Sequence, residues 1–206
     1  MKKIIQILCV AVVILGVSAF SNGTENDKSG YKVGDVAADF KLENIDGKTV
    51  SLSDFKDAKG FIVTFTCNTC PYAVAYEDRT EALNKKYAKL GYPVIAIMPN
   101  NTDVKPGDSM ENMKARAKEK GFTFPYLMDK GQKVYPQYGV TKTPHIYILE
   151  KTKKGNIVKY IGAIDDNYSD ANMVKEKYVE NAVDALLKGE EIKVKETRAI
   201  GCSIKV

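Results

Sequence analysis

Gly60-Phe-Ile-Val-Thr-Phe-Thr-Cys67-Asn-Thr-Cys70-Pro71 is the stretch on which the reading of this chain turns. Phe61 to Thr66 is largely apolar and predicts a strand buried on both faces. Pro71 to Leu90 predicts a helix, with Ala73, Tyr76, Leu83 and Tyr87 near helical spacing and Gly91 as its stop. A strand that delivers two cysteines, two residues apart, to the start of a helix is a redox device. Unpaired N–H groups and the helix dipole favour negative charge there. The thiolate is the reactive form of cysteine, so Cys67 is expected to have a lowered pKa and to act as the nucleophile. Cys70 then closes a disulfide with it. A structural bridge over so short a loop would constrain little chain.

The N-terminus sets the redox compartment. Lys2 and Lys3 precede an apolar run, Ile4 to Val17, and Val17-Ser-Ala19 offers small residues for cleavage, so residues 1–19 read as an export signal. The alternative is an uncleaved membrane anchor, although the run is short for a span of about 20 residues. Export points to a periplasmic or other extracytoplasmic location, where disulfides persist. Cys9 lies in the signal, which leaves Cys67, Cys70 and Cys202. A tight pair plus one cysteine does not resemble the even, spaced set of a stapled fold. Structural zinc needs four ligands, and only Cys202 and the single His145 could join the pair, so no metal and no cofactor is expected. Without residues 1–19 the chain has 187 residues and loses Lys2 and Lys3, so its net charge falls from +5 to +3. The charges are mixed and there is no Trp, which gives no sign of a nucleic-acid partner.

Residues 20–32 are polar at first and read as a flexible leader, 33–190 as one domain, and 191–206 as a tail packed on it. Asp46-Gly47 between two alternating segments, Asp39–Glu43 and Lys48–Leu52, signals a β-hairpin. Strands are expected at Pro93–Met98, Phe124–Leu127, His145–Leu149 and Ile157–Tyr160. Helices are expected from Asp108 or Ser109 to Lys120, over Gly131–Tyr138, and over Asn172–Leu187, where Val174, Tyr178, Ala182 and Leu186 form a stripe. Alternating strands and helices with a closing hairpin imply a three-layer α/β/α sandwich.

Three features make the chain resemble thioredoxin-fold proteins: the strand–CxxC–helix unit, Gly139-Val-Thr-Lys-Thr-Pro144 before a strand, and Leu127-Met-Asp-Lys-Gly-Gln132 leading to Tyr138-Gly139-Val140. The early hairpin is similar to the N-terminal addition of extracytoplasmic thioredoxins and of peroxiredoxins of the AhpC/TSA type. The resemblance implies a thioredoxin-like domain with a cis-proline at Pro144 facing the cysteine pair. Thr143 would then contact an extended substrate segment, with Thr143 and Pro144 as the substrate-binding residues. It also implies that Cys70 lies at the peroxide-reactive position of a peroxiredoxin. The Thr or Ser three residues before that position is here Cys67, and the Pro seven before is Val63. Counted from Cys67 instead, Thr64 fits and Gly60 replaces the proline.

The expected function is thiol–disulfide exchange through Cys67 and Cys70 with protein thiols and disulfides, fed by a membrane-embedded thiol donor if the flow is reductive. Alternatives are a peroxidase acting through Cys70 or Cys67, and a non-enzymatic metal- or protein-binding CxxC domain. Cys202 has three readings: a resolving cysteine, a surface thiol for another chain, or a small buried hydrophobe. His145 is expected to have a packing or surface role rather than act as a base, Asp129 to cap a short helix, and Glu77 and Asp78 to be solvated. No acid lies inside strand 61–66 to serve as the base. Ile192, Val194, Ile200, Ile204 and Val206 suggest that the tail is a packed strap.

Overall fold

Alternation along the central strands sorts their side chains into two cores. The computed structural model describes residues 30–206, so the export signal and most of the leader lie outside the described residues. In chain order the strands are β1 (Val36–Ala37), β2 (Leu42–Asn44), β3 (Thr49–Val50), β4 (Gly60–Phe65), β5 (Val94–Met98), β6 (Tyr126–Met128), β7 (Lys142–Thr143), β8 (His145–Thr152), β9 (Gly155–Gly162) and β10 (Cys202–Ser203). The helices are α1 (Pro71–Ala75), α2 (Glu77–Tyr87), α3 (Met110–Lys120), α4 (Val134–Tyr138) and α5 (Tyr178–Lys188). Among the described residues the main sheet has the order β1-β9-β8-β4-β5-β6-β2-β3. β4 pairs parallel with β5, and β5 with β6, while β8 runs antiparallel to β4.

Ile62, Val94, Ala96, Met98, Ile146 and Ile148 point to one face, where Ala73, Leu83, Met113 and Val183 from α1, α2, α3 and α5 cover them. Phe61, Val63, Phe65, Ile95 and Ile97 point to the other, under Leu52, Val134 and Tyr138. Period-two alternation with both faces covered gives every residue of β4 and β5 a buried environment. The expected three-layer thioredoxin-like sandwich is therefore present, with the second outer layer made by α4 and the N-terminal segments.

Several boundaries shift. The predicted helix 71–90 divides at Tyr76, and a 3₁₀ turn, Ala88–Leu90, follows α2. The last helix starts at Tyr178 rather than Asn172, because Ala171–Met173 forms a separate turn capped by Asp170. The predicted hairpin forms, with Leu42 opposite Val50 and Glu43 opposite Thr49, and its strand β2 also adds to β6. Residues 30–32, read as the end of a flexible leader, are already attached: the Tyr31 ring stands edge-on to Tyr138 with centroids 4.9 Å apart. In the tail only Ile192 is fully buried, whereas Val194, Ile200 and Val206 are exposed.

Candidate active site

β4 is a central strand of the sheet, and ligand sites of open α/β sheets lie outside the carboxyl ends of such strands. Thr66 alone separates the end of β4 from Cys67. Cys70 is the N-cap of α1, with extended φ/ψ, and Pro71 occupies the first helical position. The missing N–H of proline costs nothing there. Opposite the pair, the Thr143–Pro144 peptide is cis, as the resemblance implied. Cys67 Sγ lies 3.2 Å from Thr143 Oγ1, and the Cys70 thiol donates to the Thr143 carbonyl at 3.1 Å. Both cysteines are buried, and both are free thiols.

The loop between them is held by a residue that sequence reasoning did not assign to the site. Asp108 is completely buried. Its carboxylate accepts from the backbone N–H of Asn68 at 2.9 Å, from that of Thr69 at 3.0 Å and from the Thr69 hydroxyl at 3.0 Å. Asn100 Nδ2 donates to the same carboxylate at 2.7 Å. The Tyr126 hydroxyl reaches Asn68 Oδ1 at 3.0 Å. A signal existed in the sequence: Asp108 and Ser109 were competing caps for α3. Ser109 takes that role, accepting from the Asn112 N–H, and leaves Asp108 free for the loop.

Each of the two thiols shifts the other's pKa, so they titrate as a pair. The Cys67 thiol donates toward Cys70 and draws the Cys70 pKa down to about 4 from an ordinary 9.0, against the opposing effect of burial. The Cys202 thiol and the N–H of Ala73 in the first turn of α1 act in the same direction. The same sulfur–sulfur hydrogen bond, followed by burial, pushes Cys67 far up, and the nearby Asp108 charge adds to this. The expectation of a low-pKa Cys67 is thus corrected. Cys70, the helix cap, is the sulfur whose pKa is drawn down, and Cys67 the one whose pKa is pushed up.

The AhpC/TSA family matches residues 33–161, more than half of the sequence. The chain belongs to the AhpC/TSA family. The thiol-disulfide oxidoreductase ResA of Bacillus thuringiensis (strain Al Hakam) is 28% identical over 157 residues, covering 74% of this chain and 83% of the relative. ResA of Halalkalibacterium halodurans is 28% identical over 155 residues, covering 75% and 82%. Among solved structures, an uncharacterized conserved protein from Geobacillus kaustophilus superposes with a TM-score of 0.79 at 35% identity, covering 85% of this chain and 93% of that one. A thiol:disulfide interchange protein DsbE from Chlorobium tepidum, described as putative in its source, shares the fold at 20% identity with a TM-score of 0.59, covering 77% and 99%.

In this AhpC/TSA chain the remaining expectations divide. Asp129 caps α4 as read, accepting from the N–H groups of Lys133, Val134 and Tyr135. His145 packs against Tyr147 with ring centroids 5.0 Å apart, and burial pushes its pKa down to about 4. Asp78 is exposed, but Glu77 is not. The α3 residue Arg116 clamps Glu77 with two hydrogen bonds of 2.7 and 2.6 Å. A pattern read along one helix could not show a partner on another. Among the described residues no group of three His, Cys, Asp or Glu side chains is arranged to hold a metal ion. Nor is any described helix long and apolar enough to cross a membrane.

Thr143 is at the expected place, yet its strand edge is taken. β10 pairs antiparallel with β7, setting Cys202 opposite Thr143 and Ser203 opposite Lys142. Cys202 is half-buried and packs against the core that contains Cys67 and Cys70.

Proposed function

We propose that this protein is a thiol–disulfide oxidoreductase in which Cys67 and Cys70 cycle between dithiol and disulfide. The observation that carries this reading is the pair of free, buried thiols at the end of β4, 3.2 and 3.1 Å from Thr143 beside the cis Pro144. It agrees with the names of the ResA relatives. The Cys70 thiolate attacks one sulfur of a partner disulfide, forming a mixed disulfide and releasing the partner's other sulfur as a thiolate. The Cys67 thiol gives up its proton to that leaving group. Cys67 then attacks Cys70, the Cys67–Cys70 disulfide forms, and the partner leaves fully reduced. The partner gains two electrons and the pair loses two. This order reverses the roles expected from sequence, because Cys70 is the sulfur whose pKa is drawn down. Partners are protein disulfides presented as extended segments, which Thr143 and Pro144 would contact.

The trapping experiment uses the Cys67→Ser/Cys202→Ser double variant, in which nothing can resolve an adduct on Cys70. Incubation with a disulfide-bonded protein should accumulate a mixed disulfide at Cys70. No adduct at Cys70 would overturn the reading. We further propose that the protein works outside the cytosol after loss of residues 1–19, recharged by a membrane thiol donor. The mature N-terminus, read from protein recovered from an envelope fraction, should then fall near Phe20; recovery of intact Met1 in the cytosol would overturn this.

One observation favours a second reading, peroxidase activity. The sulfur whose pKa is drawn down is that of Cys70, which the family resemblance sets at the peroxide-reactive position. Against it, Cys67 and Val63 stand where that pocket requires Thr or Ser and Pro. Stopped-flow reaction of the reduced protein with hydrogen peroxide decides between them. A rate like that of an ordinary thiol leaves exchange alone. A rate orders of magnitude faster that is lost in Cys70→Ser supports the peroxidase.

A further inference from the structure

The strand edge beside the cis-proline is occupied by the chain's own tail, and the fit is built in detail. Gly201 lies so close that a Cβ there would sit 2.0 Å from the Thr143 carbonyl oxygen and 3.2 Å from Pro144 N, so only glycine admits this approach. Cys202 and Ser203 then pair with β7, and the Ile204 N–H continues to the Thr141 carbonyl at 3.3 Å. Lys205 is fastened on both sides of its peptide. Its N–H donates to Asn100 Oδ1 at 2.9 Å, and its carbonyl accepts from the Asn101 N–H and from Gln132 Nε2, each at 2.8 Å. Asn100 is also a partner of Asp108, so one polar chain links the tail to the CxxC loop. Cys202, opposite Thr143, packs against the buried cluster that contains Cys70, whose own sulfur lies 3.1 Å from the Thr143 carbonyl. An incoming strand would present its cysteine at this same place, since main-chain pairing to a free edge fixes which side chain meets the pocket.

We propose that residues 201–205 are a tethered substrate segment and that Cys202 is a third redox cysteine, which exchanges directly with Cys70. This rests on the exchange function proposed above. The step is the attack of the Cys202 thiolate on the Cys70 sulfur of a mixed disulfide. The Cys70–partner bond breaks, a Cys70–Cys202 bond forms, and the partner's sulfur leaves with the electron pair as a thiolate, which water protonates. Starting instead from the Cys67–Cys70 disulfide, the same attack expels Cys67 as a thiolate, an isomerisation that needs no outside oxidant. Tethering gives Cys202 a high effective concentration at Cys70 that a free thiol lacks. An outside partner must lift the segment from β7 before it can pair there.

The test compares three full-length variants treated with oxidised glutathione, read by mass spectrometry of non-reduced peptides. Cys67→Ser should lose its glutathione adduct and accumulate an intrachain Cys70–Cys202 disulfide. Cys67→Ser/Cys202→Ser should keep glutathione on Cys70. Cys67→Ser/Gly201→Val retains both cysteines but pushes the segment off Thr143, and it should form the intrachain disulfide many-fold more slowly. A persistent glutathione adduct on Cys70 in Cys67→Ser would overturn the proposal while leaving the exchange function standing. Equal intrachain rates with and without Gly201→Val would also overturn it, because strand pairing would then not position Cys202. Absence of any adduct in the double variant would instead count against the exchange function itself.

Discussion

Asp108 shows how much one side chain can organise. It is fully buried and takes hydrogen bonds from two backbone N–H groups and two side chains. Its removal strands those donors, and each buried unsatisfied group costs about 1–3 kcal/mol. Asp108→Ala is therefore expected to destabilise the protein by about 2–4 kcal/mol in urea unfolding. Because its charge raises Cys67, the same variant should lower the pKa of that thiol, seen as ultraviolet thiolate absorbance at lower pH. The cysteine pair makes stability pH-dependent in a defined direction. Cys70 falls from 9.0 unfolded to about 4 folded. Its contribution is complete above the unfolded value and is lost as pH falls through the window down to about 4. Cys67 is shifted up, so its contribution is present below 9.0 and declines above it. The reduced protein should thus be most stable near the ordinary thiol pKa and lose stability on acidification. His145, shifted from 6.5 to about 4, adds loss in the same direction below 6.5. Cys70→Ser keeps His145, so urea titrations of that variant across pH should show a much shallower acid decline; an unchanged slope would refute the lowered pKa of Cys70.

At the level of elements, α2 and α3 are joined through the Glu77–Arg116 pair, with Glu77 buried and Arg116 at 21% exposure. The pair is charge-assisted and bidentate, the strongest arrangement available to a carboxylate. Removing one member leaves a buried charge without its partner, which typically costs 3–5 kcal/mol. Lys120, 3.7 Å from Glu77, offsets part of that loss. Arg116→Ala is accordingly expected to cost about 3 kcal/mol, measured as a lower denaturation midpoint with an unchanged slope. A change below about 0.5 kcal/mol would show that water replaces the guanidinium. The break between α1 and α2 at Tyr76 has a visible accompaniment: the Tyr76 hydroxyl donates to Asp165 at 2.8 Å while Arg79 pairs with that same carboxylate at 2.7 Å. These contacts hold the start of α2 against the segment that follows β9.

For the whole molecule, the C-terminal segment closes a circuit from β7 through Asn100 and Asp108 back to the CxxC loop. Asn100→Ala opens it. Losing these hydrogen bonds should cost global stability only about 1–2 kcal/mol. Hydrogen exchange at residues 202–205 should nevertheless accelerate strongly, since a short terminal strand opens locally more easily than the core. Unchanged protection there would mean that pairing with β7 alone holds the segment.

Much of this was legible in the order of residues. The apolar run before Cys67, the glycine stops and the Asp-Gly hairpin express local rules: strand alternation, helix termination and turn preference. Together they determined the sandwich and brought the cysteine pair to the end of β4. The resemblance carried Pro144 to its place opposite them. What the tertiary structure alone decided depends on contacts between residues far apart in the chain. Asp108 meets Asn68 and Thr69 across about forty positions, and Glu77 finds Arg116 at a similar separation. Cys202 comes to lie opposite Thr143, on the cluster that holds Cys70, only because Gly201 can lie against Thr143. The ease with which each thiol ionises belongs to this second class, because a pKa is set by the burial and hydrogen-bond partners around a sulfur. A sequence shows that two cysteines are separated by two residues, but only packing determines which of them caps the helix and in which direction each pKa moves.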